Sequence, residues 1–152
     1  MKTINKTKNI VLLAGICAAV LLAAGCNDDK NVLANTKWKL VGIVNTETGE
    51  IKELEPKGEP RDENCYTFIF NANGTFTGHS ASNDLMGKYT IDPNTSAIVM
   101  SVGVMTERGE VYDGNLYMNC FRTRCSSSIV DGCLRLYYDN QENYLWYKRV
   151  AL

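Results

Sequence analysis

The sequence contains few of the residues that catalysis or metal binding requires. It has one histidine, His79, among 152 residues, so no pair of histidines can form a metal site. A Gly-x-Ser-x-Gly motif, a phosphate-binding loop and a dinucleotide-binding fingerprint are all absent. We therefore expect a protein without enzymatic activity, cofactor or metal ion.

The chain also lacks an excess of basic residues. It carries 16 Lys and Arg against 17 Asp and Glu. Nucleic-acid-binding domains are expected to be basic, so we predict no nucleic-acid partner. Most of the carboxylates occur in segments with the composition of loops, where a run of charge is usually a solvated surface.

Long apolar runs are limited to one, from Ile10 to Ala24. This run has about 15 residues, fewer than the ~20 that a transmembrane helix needs. It follows three basic residues, Lys2, Lys6 and Lys8, and it ends in small residues. That order is typical of a secretory signal, so we predict that residues 1–25 are a signal peptide.

The end of this signal carries the most informative motif of the chain. Leu21-Leu22-Ala23-Ala24-Gly25-Cys26 resembles the lipobox of bacterial lipoproteins, although Ala23 stands where the usual motif has Leu. The resemblance implies that Cys26 becomes the first residue of the mature chain. It also implies that Cys26 carries diacylglycerol, with fatty acids such as palmitate, and thereby attaches the protein to a membrane. Two or more acyl chains hold a protein on a bilayer stably.

Residues 26–35 are polar and are interpreted as a flexible tether after the lipid. Asp28 and Asp29 directly follow the lipidation site, and such acidic residues resemble a tag for export to the cell surface in one group of Gram-negative bacteria. We therefore predict a protein anchored in the outer membrane, on the cell surface, with the periplasmic leaflet as the alternative.

Residues 36–150 have the pattern of a mainly β domain. Trp38 and Leu40 alternate with Lys37 and Lys39, and this period of two indicates a strand with one buried face. Similar short strands follow at regular intervals, separated by turn residues. The sequence predicts a small antiparallel barrel or strongly curled sheet of about eight strands.

Two segments depart from the strand pattern. Between Tyr112 and Phe121, apolar residues are spaced by four, which suits one short helix or crossover. The segment from Glu47 to Asp62 is charged and contains Pro56 and Pro60, and we interpret it as a long exposed loop.

A series of strand-and-turn motifs runs along this domain in a fixed order. In chain order they are Trp38-Lys39-Leu40, Tyr66–Phe70, Asn73–Gly78, Ser82-Asn83, Gly87–Ile91, Ser128–Leu136 and Tyr144–Trp146. The order resembles the META/HslJ family of small bacterial domains, which are often lipoproteins with envelope or stress functions. Ala81 or Ser82 stands where that family has Cys before Asn83, and only Thr106 corresponds to its later Thr-x-x-x-Cys region. A lipocalin-like barrel is the second choice.

Aromatic residues are concentrated in the last third of the domain. Strand alternation places Tyr137, Tyr144 and Trp146 on the face opposite to Leu136 and Leu145. An outward aromatic face would be a binding surface for a protein, glycan or peptide, whereas a barrel that closes against its first strand could bury it. Both interpretations remain open from the sequence.

Four further cysteines lie in the mature chain: Cys65, Cys120, Cys125 and Cys133. Their spacing fits a zinc site poorly, because structural sites usually contain Cys pairs two to four residues apart. Disulfides are the default outside the inner membrane. A two-residue turn at Asp131-Gly132 would separate Cys125 from Cys133 by ~16 Å, whereas a disulfide needs Cα atoms within ~7 Å.

The directions of the strands further reduce the number of possible cysteine pairings. In an up-and-down sheet, Cys65 and Cys133 begin strands that run in opposite directions. The start of the Cys65 strand should instead lie near the start of the Cys125 strand. We therefore favour Cys65 bridged to Cys120 or Cys125, with Cys133 unlinked.

These features predict a lipid-anchored, non-catalytic binding or interaction module of the envelope. The alternative is a lipocalin-like carrier that holds a small apolar ligand inside the barrel, because an eight-stranded barrel can either be filled by side chains or hold one ligand. The ligand would be a protein, a glycan or a small apolar molecule.

The anchor is directly testable. Replacing Cys26 with Ala removes the thiol that would carry the lipid, so Cys26→Ala should lose a fatty-acid label and leave the membrane fraction. Metabolic labelling with a fatty-acid analogue measures this. A Cys26→Ala variant that is labelled as strongly as the native protein would contradict the prediction.

Overall fold

The computed structural model describes residues 31–56, 63–95, 97–122 and 126–152, apart from the side chain of Val104. Several residues that carry predictions lie outside this part of the chain: Cys26, Asp28, Asp29, Cys125 and residues 57–62 of the predicted exposed loop. The predicted signal peptide also lies outside it. Within the described part, no helix is both long and apolar enough to cross a bilayer.

The domain is a closed antiparallel β-barrel of eight strands, with one extra strand and one short helix, as predicted. The strands are β1 (Thr36–Asn45), β2 (Ile51–Lys52), β3 (Thr67–Phe70), β4 (Thr75–His79), β5 (Asp84–Ile91), β6 (Ile98–Val104), β7 (Ser126–Val130), β8 (Cys133–Tyr138) and β9 (Asn143–Val150). The helix α1 spans Gly114–Asn119. It lies inside the segment that the spacing of apolar residues predicts to be helical.

The barrel follows the chain order and is closed by its first and last strands. From β3 to β9 each strand pairs with the next, β3 pairs back to β1, and β9 pairs with β1 from Lys37↔Val150 to Asn45↔Asn143. The short β2 pairs with β1 beyond the end of β3. Alternate turns therefore lie at opposite ends of the barrel.

The end at which β1 begins is called the tether end, and the end that α1 covers is called the helix end. The β7–β8 turn at the tether end consists of Asp131 and Gly132, with φ values of 52° and 73°. A two-residue hairpin turn of this type requires positive φ at both positions. Val130 pairs with Cys133 and Ser126 with Tyr137, which confirms the predicted register.

The barrel interior is occupied by apolar and aromatic side chains. The predicted core residues that prove to be buried are Trp38, Leu40, Phe68, Phe70, Tyr89, Ile98, Met100, Leu134, Leu136 and Leu145; Ile91 is half-buried. Phe68 contacts the rings of Phe76, Phe121 and Tyr147 at centroid distances of 5.2, 5.8 and 5.6 Å. These rings fill the space between the strands.

A turn that precedes β1 closes the tether end. Leu33 is completely buried in the core. The side-chain amide of Asn31 donates a hydrogen bond to the Tyr89 hydroxyl at 2.6 Å. Residues 31–35, which the sequence assigned to the tether, thus pack against the barrel, and the packed part of the chain begins no later than Asn31.

The helix α1 closes the opposite end by inserting Tyr117 into the interior. Tyr117 is fully buried and contacts the rings of Tyr66 and Phe121 at 4.9 and 5.0 Å. The Tyr147 hydroxyl donates to the Tyr117 hydroxyl at 2.8 Å. Burial raises the pKa of Tyr117 above its ordinary value, so this hydroxyl stays neutral.

The prediction of one exposed loop from Glu47 to Asp62 was wrong in part. Ile51 and Lys52 form the extra strand β2, and Leu54 is buried in the core with 6% of its surface exposed. A single buried Leu in a charged segment gives no periodicity, so the sequence does not reveal this contact.

Truncation of a core side chain should measure the packing. Leu136 is completely buried and pairs with Leu145, so Leu136→Ala should lower the free energy of unfolding by ~2–5 kcal/mol. Urea denaturation measures the change. The exposed Lys88 on the outer face of β5 provides the control, and Lys88→Gln should change stability by less than ~0.5 kcal/mol. Equal stability of the two variants would show that the assigned register is wrong.

Candidate functional site

The predicted aromatic residues lie together on the outer face of β8 and β9. Strand alternation directs Leu136, Leu145 and Tyr147 into the core and turns Tyr137, Tyr144 and Trp146 outward, where each is half-buried. Closure of the barrel therefore does not bury them. We call Tyr137, Tyr144 and Trp146 the aromatic patch.

Contacts across the two strands fix the geometry of the aromatic patch. Tyr137 and Tyr144 are cross-strand partners, with ring centroids 5.3 Å apart and planes tilted by 47°. Arg135, the partner of Trp146, places its guanidinium carbon 5.1 Å from the centre of the Tyr144 ring. This cation–π contact holds a positive charge within the patch.

Arg135 is shielded although it lies on the outer face. Its Nε atom is buried and has no hydrogen-bond partner among the described residues. Desolvation works against the charge, but interactions with Tyr137 and Tyr144 more than offset it and raise the pKa of Arg135 above its ordinary value. The patch therefore carries a permanent positive charge.

The strand β2 forms one border of the patch. Gly42 of β1 pairs with Trp146, and a Cβ atom on Gly42 would lie 2.8 Å from the Lys52 carbonyl and 2.9 Å from Ile51 Cγ2. Only glycine allows this approach. Ile51, which is 48% exposed, thus lies over the strand that flanks Trp146. The sequence-based analysis missed β2, because two residues are too short for a strand pattern.

A buried hydrogen-bond network at the helix end was also missed. The Ser80 hydroxyl and the Asn83 amide donate to Glu110 Oε1 at 2.6 and 2.7 Å. Asn83 Oδ1 accepts from the Thr106 hydroxyl and from the Arg108 backbone amide at 3.0 and 2.7 Å. These bonds fasten the segment after β6 to the β4–β5 turn. Their partners are far apart in sequence, so no local pattern reveals them.

His79 lies next to Asp84, its cross-strand partner. The distance from His79 Nε2 to Asp84 Oδ1 is 3.6 Å, and both side chains are partly exposed. Among the described residues, no group of three or more His, Cys, Asp or Glu side chains could hold a metal ion.

The cysteines are distributed as the strand directions require. Cys65 precedes β3 and Cys120 follows α1, and both are buried near the helix end, whereas Cys133 is half-buried at the tether end. No disulfide joins these three described cysteines to one another. Cys125, the other candidate partner, lies outside the described residues, so the predicted bridge stays a prediction.

A groove of about 820 Å³ lies at the tether end. Its lining includes the apolar residues Val32, Ile98 and Ile129, the polar Asn31 and the aromatic Tyr89. Its volume falls within the ~300–1,000 Å³ that is usual for small-molecule sites. No residue of the aromatic patch lines this groove.

Comparison with known proteins identifies a relative of almost the same length. No family model matches the chain. A protein of Tannerella forsythia named "Putative lipoprotein" is 29% identical over 148 residues, which cover 93% of this chain and 96% of the relative. The two chains are therefore similar over most of their length.

A solved structure supports the fold. The crystal structure of a DUF4847 family protein from Bacteroides vulgatus superposes with a TM-score of 0.53, covering 77% of this chain and 94% of the other at 14% identity. At this identity the match shows the fold alone. Neither comparison refers to the META/HslJ family, and that resemblance remains a prediction.

Peptide mapping under non-reducing conditions tests the predicted disulfide. Cys65 and the helix that leads to Cys120 meet at the helix end, because Tyr66 contacts Tyr117. We expect Cys65 linked to Cys120 or Cys125 in protein isolated from the envelope, with Cys133 unlinked. A bond between Cys125 and Cys133 would contradict the β7–β8 register, and one between Cys65 and Cys133 would contradict the strand order.

Proposed function

We propose that the protein is a lipid-anchored, non-catalytic binding module of the bacterial cell envelope. The lipobox that ends at Cys26 supports the anchor, and so does the similarity to the Tannerella forsythia protein named as a lipoprotein. The proposed location is the outer membrane, on the cell surface, and Asp28 and Asp29 after the lipidation site support it.

The position of Asn31 fixes how such an anchor would orient the barrel. Asn31 is bound to Tyr89 at the tether end, and it lies five positions after Cys26. A fully extended chain of five residues spans at most ~18 Å. The tether end would therefore face the membrane, and the side wall that carries the aromatic patch would stay accessible.

The aromatic patch is the observation that carries the binding function. Tyr137, Tyr144 and Trp146 place half-buried rings on the outside of a barrel whose interior already contains many aromatic side chains. Aromatic residues and Arg are enriched at binding surfaces, and clustered exposed apolar side chains often mark interaction sites. Arg135 and the two tyrosine hydroxyls add polar groups to the same surface.

We retain the META-like type as part of this proposal. One contact supports it: Asn83 and Thr106, which correspond to two separate motifs of that family, are joined by a hydrogen bond. The position four residues after Thr106 is Glu110 rather than Cys, and it joins the network through its carboxylate.

The alternative function is that of a carrier for a small apolar ligand. The groove at the tether end, with Val32, Ile98 and Ile129 in its lining, favours it. Since aromatic rings occupy the barrel interior, such a ligand would bind in this groove rather than at the centre of the barrel.

Tryptophan fluorescence separates the two functions. Trp38 is 2% exposed in the core, whereas Trp146 lies on the outer face, so a ligand on the aromatic patch should change the emission of Trp146 alone. The detergent-solubilised lipoprotein would be titrated with a panel of oligosaccharides, peptides and fatty acids. We expect a ligand whose signal disappears in Trp146→Phe and whose affinity falls by ~1–3 kcal/mol in Trp146→Ala.

Tyr112 provides the matched control. This aromatic residue is 57% exposed near the helix end, outside the patch, so Tyr112→Ala should leave the affinity unchanged. Suppose that only fatty acids bind, with equal affinity for the native protein and Trp146→Ala. This result would contradict a binding function of the aromatic patch and support the function of a carrier.

A further inference from the structure

Charge is strongly segregated in this barrel. The strands β7, β8, β9 and β1 contain five basic residues and no acidic residue. The basic residues are Lys37, Lys39, Arg135, Lys148 and Arg149. Asp84 is the only acidic residue in the nine described strands, although acidic residues outnumber basic ones in the whole chain. The acidic residues lie mainly in turns and loops.

The basic side chains continue the aromatic patch along the same wall. On β9, Tyr144, Trp146 and Lys148 point outward in succession, and Lys148 pairs with Lys39 of β1. The Lys39 ammonium donates a hydrogen bond to the Cys65 carbonyl at 2.6 Å. Lys148 is exposed and has no ion pair with a described carboxylate. Asp131, in the neighbouring turn, is the acidic group that acts on Arg135.

We infer that the outer wall of β8, β9 and β1 binds an acidic polysaccharide, with sugar rings on the aromatic patch and carboxylates on Arg135 and Lys148. This inference rests on the proposed binding function and names its ligand class. The outward residues from Tyr144 to Lys148 span ~13 Å along the strand, which suits an oligosaccharide rather than a single sugar.

Stacking explains the aromatic part of the site. The faces of aromatic rings carry partial negative charge, and the C–H groups on the face of a sugar carry partial positive charge. Trp146 offers its ring beside the tilted Tyr137–Tyr144 pair, in which Arg135 lies over the ring of Tyr144. The hydroxyls of Ser126 and Ser128 point to the same side of the neighbouring strand β7 and can bind sugar hydroxyls.

The basic residues of the site, Arg135 and Lys148, select a negatively charged ligand. Arg135 is held by its contact with the Tyr144 ring, and the terminal N–H groups of a guanidinium bind carboxylates well. Lys148 lies on β9 two residues beyond Trp146, one outward position farther from the ring pair.

The structure disfavours a peptide on this wall. Strand addition requires an open sheet edge, but β8, β9 and β1 are each paired on both sides. The two described depressions, at the tether end and beside His79, contain no patch residue. A wall without an open edge and with half-buried rings suits a hydroxylated sugar chain better.

Polygalacturonate and its fully methyl-esterified form make a matched pair of probes, since they share a backbone and differ in charge. The solubilised lipoprotein should bind polygalacturonate about tenfold or more tightly than the ester, and added salt should weaken only the charged interaction. Affinity electrophoresis measures both polymers under identical conditions. Polyglutamate, an acidic chain without sugar rings, should bind weakly.

Single substitutions distinguish the contribution of the basic residues to binding from that of the aromatic residues. Lys148→Gln should weaken binding of polygalacturonate by about tenfold and leave binding of the ester unchanged. Arg135→Gln should weaken binding of polygalacturonate by at least as much, because it also removes the contact with the Tyr144 ring. Trp146→Ala should weaken binding of both polymers. Lys88→Gln removes another exposed lysine, on β5, and should have no effect.

Three results would overturn the inference: equal affinity for polygalacturonate and the ester, equally tight binding of polyglutamate, or equal losses in Lys88→Gln and Lys148→Gln. Absence of binding to either polymer would overturn it as well. If a neutral ligand from the fluorescence panel still engages Trp146, the binding function stands and only the acidic ligand class fails.

Discussion

Pairing between the first and last strands determines both the inside and the outside of this molecule. The β1–β9 ladder runs from Lys37↔Val150 to Asn45↔Asn143 and removes the two sheet edges that would otherwise be exposed. Once this register is set, alternation along each strand directs Tyr147 into the core and Trp146 to the surface. The register of this ladder therefore determines both which side chains form the core and which form the candidate site.

Apolar and aromatic side chains fill the interior of the closed barrel, so we expect a ligand to bind at its periphery. Phe68 and Tyr147 meet in the interior, Tyr117 enters from the helix end and Leu33 from the tether end. The surfaces that remain are the outer wall and the groove at the tether end. The wall carries the rings and the positive charge, whereas the groove is lined largely by apolar side chains and backbone turns.

Local alternation and turn chemistry made most of the barrel predictable. Trp38 and Leu40 are buried while Lys37 and Lys39 lie outside, and Asp131-Gly132 sets the hairpin that follows β7. Features that depend on distant partners were not predictable. Leu54 packs on the core from a charged segment, and Glu110 is fixed by residues about 30 positions earlier, so neither leaves a periodic signal.

The candidate site was predictable only in part, for a physical reason. Alternation places Tyr137, Tyr144 and Trp146 on one face, but their exposure depends on what the neighbouring strand β1 presents beside them. Gly42 opposite Trp146 presents no side chain, and β2 uses that space to approach from one side. A larger residue at position 42 would displace β2 and remove one border of the patch. The binding surface therefore depends on a glycine that sequence alone connects neither to Trp146 nor to Ile51.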